Sequence, residues 1–423
     1  APGMDFAFGF TGDGYIDRAL QNDWLICNDS VVSPASSNAL EDLQLRISLE
    51  PIRDLKIDLT ANRTRNRSRE IQYMFEGMPD TRSGNFSMSI ISIGSAFERP
   101  SAGDGYHSGT FERFRRNLDV IRDRVESQFL GAQYPQGSIL AGKTFDPANG
   151  TISKHSPDVM IPAFLAAYTG KSARNSALDF FPSLFSMMPN WRITYTGLTK
   201  IAWFKKNFRS VNLNHAYRST YSVGSYNTFQ SFMSYMGDIG FVEDVQSGNP
   251  IPSSRFDISM VSINEQFSPL IGMDATLKNG LTAKVEYKTS RILNLSMSAC
   301  QLVETASRDF VIGLGYKIVN FNLFSGRNVK DSKNRVSHDL ALRADISFRN
   351  QSALCRDIQQ GFAQATNGNK ALKISCSADY TLSRLLTLRL YYDRQQNTPL
   401  VSSSSYPVVS ADFGFSMKFS LTR

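Results

Sequence analysis

Apolar and polar residues alternate over long stretches of the chain, with an apolar side chain at every second position. Between Leu43 and Asn62 the apolar residues keep to odd positions on both sides of a short break at Pro51–Asp54. A period of two is that of a β-strand with one apolar and one polar face. A short proline-containing break between two such runs is typical of a tight turn, so this segment predicts a hairpin.

The same alternation recurs towards the C-terminus. From Leu281 to Ala299 the apolar positions keep one parity, which predicts one unbroken strand over residues 281 to about 302, after a turn at Asn279–Gly280. Further alternating runs follow at 310–316, 340–348, 372–380, 386–392 and 409–421. The intervening positions include Arg343, Asp345, Arg389, Asp393, Asp412 and Lys418, which are side chains expected to face water.

Two fold classes share this alternation, a soluble sandwich of antiparallel sheets and a transmembrane barrel. Sandwich strands average about 5–6 residues, whereas runs such as 409–421 are more than twice that length. The pattern therefore predicts an all-β transmembrane antiparallel β-barrel. If the C-terminus is periplasmic, Asn279–Gly280 and Ser383–Arg384 are short periplasmic turns, and residues 350–370 and 396–405 form long outer loops.

Overall hydropathy agrees with a barrel and excludes a bundle of membrane helices. Hydrophobic residues make up 41% of the chain, and the mean hydropathy is −0.25. The longest nearly uninterrupted apolar stretch, Val159–Tyr168, contains Pro162 and is well short of the roughly 20 residues that a spanning helix needs. A spanning strand is only half apolar, so its mean hydropathy is unremarkable.

A change of period marks an insertion at residues 98–190, between predicted barrel strands in 1–97 and 191–423. Apolar residues recur there at helical spacing, flanked by arginine and aspartate, which predicts an amphipathic helix: Phe111, Phe114, Leu118, Ile121 and Val125. Val159–Tyr168 predicts a second, buried helix. Two interpretations remain open: the helices pack at the barrel mouth or inside the lumen, or they lie on a membrane surface or a partner.

Charge and cysteine content do not point to nucleic acid or metal. The net charge is +8, but 46 basic and 38 acidic residues are interleaved along the chain, so nucleic-acid binding is not expected. Cys27, Cys300, Cys355 and Cys376 form no C-x-x-C motif and no metal-ligand cluster with histidine. Isolated thiols are favoured over a Cys355–Cys376 disulfide. No cofactor is expected.

No catalytic motif is present, so the chain is not expected to be an enzyme. None of the four histidines lies in a nucleophile motif, and His215 falls within an alternating run that predicts a strand. The chain has neither a Walker sequence nor a G-x-G-x-x-G motif.

Four arginines follow one of the predicted strands at the apolar parity. If the strand continues without a bulge, they point outward just beyond the hydrocarbon and could contact lipopolysaccharide phosphates bidentately. If a β-bulge lies near Asn62, they turn into the lumen instead. Both alternatives stay open for Arg63, Arg65, Arg67 and Arg69.

Particular blocks of sequence go beyond a generic barrel. The stretches Trp203–Tyr226 and Ser268–Thr305, together with Pro189–Leu198 and Leu43–Arg63, resemble the C-terminal part of the SprA/Sov family. That resemblance implies the outer-membrane translocon of the type 9 secretion system of Bacteroidota, a very large barrel that exports folded cargo proteins and gliding adhesins. The chain would then be the C-terminal portion of a longer protein.

The resemblance also implies partners and an assembly signal. Expected partners are the remaining N-terminal part of the same barrel, a PorV-type shuttle barrel, a periplasmic plug protein, secreted cargo, and outer-membrane lipid or lipopolysaccharide. Phe419 and Leu421 are the candidates for the C-terminal assembly signal of barrels, and Phe6–Phe10 predicts a first strand. The alternative function is a small-solute porin or TonB-dependent receptor, which would close on this chain alone.

Overall fold

Long antiparallel strands dominate the computed structural model, which describes residues 3–8, 14–24, 34–71, 80–319, 321, 339–382, 385–401 and 406–419. The helices are α1 (Met4–Ala7), α2 (Tyr15–Gln21), α3 (Gly109–Ser127), α4 (Pro157–Tyr168) and α5 (Ala202–Asn207). The first strands are β1 (Ala35–Ile52), β2 (Leu55–Ile71), β3 (Asp80–Ser89), β4 (Asn190–Tyr195), β5 (Phe208–Thr228), β6 (Met233–Met236), β7 (Ile239–Glu243) and β8 (Pro250–Ser254). They are followed by β9 (Phe256–Ile258), β10 (Met260–Leu277), β11 (Leu281–Ser296), β12 (Gln301–Ile318), β13 (Leu340–Asp357), β14 (Ala363–Thr381), β15 (Leu386–Pro399) and β16 (Val408–Phe419).

One sheet contains all the long strands. Its neighbours run in the order β1-β2-β3-β5-β10-β11-β12-β13-β14-β15-β16, and β4 and β9 pair off this path. Every pairing is antiparallel. This path contains 11 strands. Because neighbours are antiparallel and the number is odd, the edge strands β1 and β16 run in the same direction. Within the described residues no ladder joins these two edges.

The hairpin predicted around Pro51–Asp54 is confirmed, since β1 and β2 pair from Ala35↔Ile71 to Ile52↔Leu55. The single unbroken strand predicted for residues 281–302 is wrong. The chain turns back after Ser296, and Gln301 begins β12 directly opposite it. Cys300 takes a positive φ of 49° in this turn, a conformation that asparagine or glycine usually supplies and that the sequence pattern did not signal.

The prediction that short turns lie at one end of the strands and long loops at the other is also wrong. Strands β13 and β14 extend to Asp357 and from Ala363, so most of residues 350–370 is strand rather than loop. Strand β15 likewise continues to Pro399, so only part of 396–405 lies beyond it. The longest connection between consecutive C-terminal strands joins β12 to β13, at the end predicted to have short turns. Ser383–Arg384 lies outside the described residues.

The N-terminal strand predicted for Phe6–Phe10 is replaced, over its described part, by helix α1. Phe6 stacks on Tyr15 of α2, with ring centroids 5.6 Å apart. Alternating aromatic residues resemble a strand in sequence, but Phe6 here contacts the neighbouring short helix. No helix among the described residues combines the length and the apolar character needed to cross a membrane.

Strands β3 and β4 are two halves of one strand position, separated in sequence by residues 90–189. Both lie between β2 and β5. Strand β3 pairs with residues 63–71 of β2, and β4 pairs with residues 55–60. Side chains replace the missing ladder bonds at the break. Ser89 Oγ accepts from the Asn62 and Asn190 nitrogens at 3.0 and 3.1 Å, and the Asn190 carbonyl Oδ1 accepts from Ser219 N at 2.7 Å.

The excursion between the two halves, residues 90–189, is called the insertion here. Ser108 caps the N-terminus of helix α3, since its hydroxyl accepts from Phe111 N, and the helix buries the predicted apolar stripe from Phe111 to Val125. Helix α4 is buried on nearly all sides. These helices, with the small β6-β7-β8 sheet, pack on strand residues such as Tyr221 and Leu293 to form one hydrophobic core.

Candidate membrane-facing surface

The lower part of the large sheet is defined here as the end at which β1 turns into β2 and β10 turns into β11. Along this part the sheet has one apolar and one polar face. On the apolar face, rows of aliphatic side chains lie opposite one another across neighbouring strands, as in the row Val285, Ile312, Ile346 and Ile374. Consecutive side chains of a strand point to opposite faces, so each apolar row alternates with a polar one. The alternation seen in sequence thus becomes two continuous surfaces.

Nothing in the described residues covers the apolar face along its lower part. Large hydrophobic side chains remain open on it, including Phe413 at 73%, Met417 at 67% and Ile271 at 67% exposure. Soluble monomers rarely expose contiguous apolar patches of more than a few hundred Å². A sandwich would bury this face against a second sheet, so its exposure argues against that alternative and suits a surface that contacts lipid.

The polar face carries charged residues that pair with one another. Glu286 lies between Lys284 and Lys288 at 3.0 and 2.9 Å, and Arg349 pairs with Asp309 at 2.9 Å. Arg343 and Asp345 occupy this face by strand register, as the sequence predicts. Such pairs add little stability while exposed to water, so they suit a hydrated surface.

The apolar band ends at one level on β12, β13 and β14, and two rows lower on β15, where Arg394 and Gln396 lie opposite Ile374 and Leu372. Arg308, Asn350 and Lys370 lie side by side in register on β12, β13 and β14, directly beyond the last apolar row. On β13 the band extends from Leu340 to Phe348, close to the roughly 9–11 residues of a tilted membrane-spanning strand. A width close to that of a spanning strand and a sharp polar border are the properties expected of a hydrocarbon-facing band.

Aromatic rings line the border where the strand position of β3 and β4 is interrupted. The Trp191 ring stacks on Tyr217 with centroids 4.4 Å apart, and Tyr217 contacts Phe267 at 4.8 Å. Tyr217 and Phe267 are almost fully buried, and Phe97 of the insertion packs on Phe267 with ring centroids 5.4 Å apart. The cluster therefore fills the junction between the apolar band and the insertion.

The insertion packs on the same face of the sheet as the apolar band, beyond its border. By strand register, its contacts Met88, Tyr221 and Leu293 share a face with Leu59 and Val285. The insertion therefore lies on the apolar side of the sheet, directly beyond the border of the band. If the polar face lines a lumen, as predicted, the insertion is not inside it.

Two buried ion pairs hold the insertion against the sheet. The first joins Glu265 and Arg291, directly opposite on β10 and β11, at 2.7 Å. Glu265 Oε1 also accepts from the hydroxyls of Tyr217 and Ser92, both at 2.7 Å, and Arg291 donates to the Ser95 carbonyl at 2.7 Å. Because Ser92 and Ser95 belong to the insertion, the ion pair joins the two parts through charge-assisted hydrogen bonds.

The second pair joins Glu304 and Arg356 at 3.0 Å, and the arginine side chain is only 1% exposed. Arg356 Nη1 also donates to the Tyr106 carbonyl of the insertion at 2.7 Å, and its guanidinium lies over the Phe111 ring. Sequence reasoning missed both pairs because the partners are far apart along the chain and each is a single charge within an alternating run.

Glu98 closes the same interface from the insertion side. Its carboxylate accepts from the Ser108 hydroxyl and from the Thr110 amide and hydroxyl at 2.5 to 3.0 Å. Burial opposes its ionisation, but these hydrogen bonds hold the pKa of Glu98 below its usual range. The carboxylate therefore stays charged and fixes the start of α3.

The four arginines of β2 stay on the apolar side, because the pairing of β2 with β1 and β3 continues past Asn62 without a bulge. Acidic and aromatic side chains engage them. Arg63 and Arg67 pair with Glu41, Arg65 lies 4.8 Å from the Phe181 ring, and Arg69 pairs with Asp17 and Asp80, both at 2.8 Å. Lipopolysaccharide contact stays a prediction, and any phosphate would have to compete with these partners.

The remaining predicted residues lie apart from one another. Phe419 ends β16 on the apolar face, and Leu421 lies outside the described residues. His215 lies within β5, as predicted, with Nδ1 2.6 Å from the Leu270 carbonyl. Cys300, Cys355 and Cys376 are free thiols, and Cys27 is outside the described part. Across the described ranges, no three His, Cys, Asp or Glu residues converge as metal ligands would.

Asp158, near the start of α4, gives the insertion a pH-dependent stability. Burial raises the pKa of Asp158 although the Ser254 amide donates to its carboxylate at 3.2 Å. An acid whose pKa is raised in the folded state stabilises that state at low pH. This stabilisation is lost as the pH rises above the pKa that the acid has in the unfolded chain. In the original protein we expect the insertion to lose protease resistance as the pH rises from acidic to neutral. In Asp158→Asn we expect this loss to be smaller. An unchanged pH profile would contradict this role.

Comparison with known proteins adds little to this geometry. No family model matches the chain, and no curated protein matches it by sequence. Among solved structures, the chain is similar to "OmpT (in-vitro folded), an outer membrane protein" of Vibrio cholerae in its trimer form, with 9% identity over 92% of this chain and 99% of that chain. The TM-score is 0.23, which is too low for the likeness to carry an argument.

Proposed function

We propose that the chain forms part of the wall of a bacterial outer-membrane β-barrel, with the apolar face in lipid and the polar face towards an aqueous lumen. The observation that carries this proposal is the two-faced sheet, whose exposed apolar band has the width of a membrane-spanning strand and ends at a row of polar and charged residues. In a membrane all backbone groups must be paired, which favours a closed barrel.

We further propose that this wall belongs to a protein-conducting channel of the type 9 secretion class. The direction of the edge strands supports a larger assembly. Because β1 and β16 run in the same direction, antiparallel closure of the described sheet needs at least one more strand. A ring of only the path strands would be about 22 Å across, whereas 36 strands give about 70 Å. A folded cargo domain could pass only the larger ring.

In this proposal the protein acts as a passive conduit. The paired charges of the polar face keep the lumen hydrated without presenting one strong net charge, which lets polypeptides of varied composition pass. The insertion and the small β6-β7-β8 sheet lie at one end and outside the wall, so they leave the lumen open. Motive force would come from other components, with a shuttle barrel, a plug protein and cargo as the expected partners.

Isolation of the native complex in mild detergent, with an antibody against the β6-β7-β8 sheet outside the apolar band, tests the proposal. We expect a very large species that contains this sequence, a smaller barrel and a periplasmic protein. A stable species of about 47 kDa that conducts small solutes in planar bilayers would instead support the porin or receptor alternative and overturn the translocon proposal.

A further inference from the structure

An apolar cavity of about 300 Å³ opens where the insertion rejoins the sheet. Its walls come from the end of β3, the end of α4 and the segment that leads into β4, and include Ile90, Leu165, Ala166 and Met188. A volume near 300 Å³ is at the lower end of the range for small-molecule sites. Charged lining is limited to Lys171 and Asp179, both exposed at the rim.

The cavity lies at the border of the apolar band. Met88 in its wall is directly opposite Arg63, the first charged residue beyond the band on β2. Met188 in its wall donates its backbone N–H to the Ser89 carbonyl at 3.1 Å and is 40% exposed. Strand β4 begins at Asn190, two residues after Met188, and runs into the apolar band. The opening is therefore continuous with the face that we propose lies in lipid.

The segment beside the opening carries unusually exposed apolar side chains. Phe185 is 96% exposed and its neighbour Leu184 is 47% exposed. A hydrophobic side chain left in water gains roughly 1.5–3 kcal/mol by burial, and this segment has lipid as its nearest apolar medium. The same geometry that lets Phe185 enter the membrane brings acyl chains to the mouth of the cavity.

We propose that this cavity binds one acyl chain of an outer-membrane lipid and that Lys171 pairs with the phosphate of its head group. An unbranched chain can enter this narrow space from the band, because most of its exposed lining is apolar. A bound lipid would then join the insertion to the membrane as well as to the sheet. The inference rests on the proposed function, because it needs the apolar face to lie in lipid.

Photocrosslinking tests this inference. The native complex is reconstituted in vesicles that contain phosphatidylglycerol with a diazirine at the end of one acyl chain, and labelled peptides are identified by mass spectrometry. We expect labelling at residues 88–91, 165–166 and 186–188. In Ala177→Trp, which fills the exposed mouth, this labelling should fall about tenfold, the effect of removing a modest binding energy.

Ala148→Trp provides a matched control, because Ala148 is an exposed alanine of the insertion outside this cavity. It should leave the labelling unchanged. Lys171→Glu should reduce labelling by phosphatidylglycerol more than labelling by a phosphatidylcholine probe. If the two probes label the cavity equally in the original protein, and again equally in Lys171→Glu, the proposed contact between Lys171 and the head group is overturned.

The same samples separate the two proposals. If Phe413 and Phe415 of the apolar band are labelled while the cavity peptides are not, the membrane-facing surface stands and the lipid site is overturned. If neither is labelled, the membrane-facing surface itself is overturned. Labelling of the cavity that persists in Ala177→Trp would show that the probe reacts from outside, which also overturns the site.

Discussion

Replacing Ile346 with arginine is expected to destabilise the protein by about 1–3 kcal/mol, because an arginine on the lipid-facing side of a barrel strand costs about 2–4 kcal/mol at the middle of the membrane and about 0–1 kcal/mol at its edge. Ile346 lies in the fourth of the five apolar rows of β13, opposite Ile312 and Ile374, and it is 45% exposed on that face. The substitution places a guanidinium in hydrocarbon, away from water and from acidic partners.

The adjacent Ser347 provides the control, because it is half-buried and points to the opposite, polar face. Ser347→Arg should change stability by less than about 0.5 kcal/mol, as surface substitutions usually do. Unfolding by guanidinium in lipid vesicles measures both variants. Equal stability of Ile346→Arg and Ser347→Arg would mean that the apolar face is not in lipid.

Replacing Arg356 with methionine should cost about 3–5 kcal/mol, because it leaves the Glu304 carboxylate buried without its partner. Glu304 Oε2 accepts from two guanidinium nitrogens of Arg356, at 3.0 and 3.1 Å, and both side chains are almost fully buried. The lost hydrogen bond to the Tyr106 carbonyl should also loosen the insertion, so its cleavage by a protease should accelerate.

A double variant distinguishes the unpaired charge from a packing defect. Glu304→Gln combined with Arg356→Met removes both charges, and it should recover much of the lost stability. Arg349→Met is the comparison for an open ion pair, since Arg349 is 59% exposed beside Asp309, and it should cost at most about 1 kcal/mol. A double variant as unstable as Arg356→Met alone would assign the loss to packing.

The sequence predicts most strands because burial on one face imposes a period of two. It does not predict where strands turn when the parity continues through the turn. Leu293, Leu295 and Met297 keep one parity, yet the chain reverses just after Ser296 without glycine or proline. Strand ends beyond the band were missed for a related reason, because Asn350 and Lys370 are polar on a face that is apolar lower down.

The insertion illustrates a second limit. Its helices follow from periodicity, since Phe111 and Phe114 recur at helical spacing, but the face on which they pack does not. That face is determined by contacts between distant residues, such as Arg356 with Tyr106 and Arg291 with Ser95. Such pairs are decided by tertiary geometry, and a single sequence gives no sign of them.

The interrupted strand has a consequence for how such walls diversify. Ser89 and Asn190 lie within hydrogen-bonding distance of each other, and their neighbours keep the register of β2 and β5 on both sides of the break. A folded domain whose two ends lie close together could be exchanged at this joint without moving any strand. The joint therefore separates the evolution of the insertion from that of the sheet: the insertion can be acquired, lost or replaced while the sheet keeps its strands and their register.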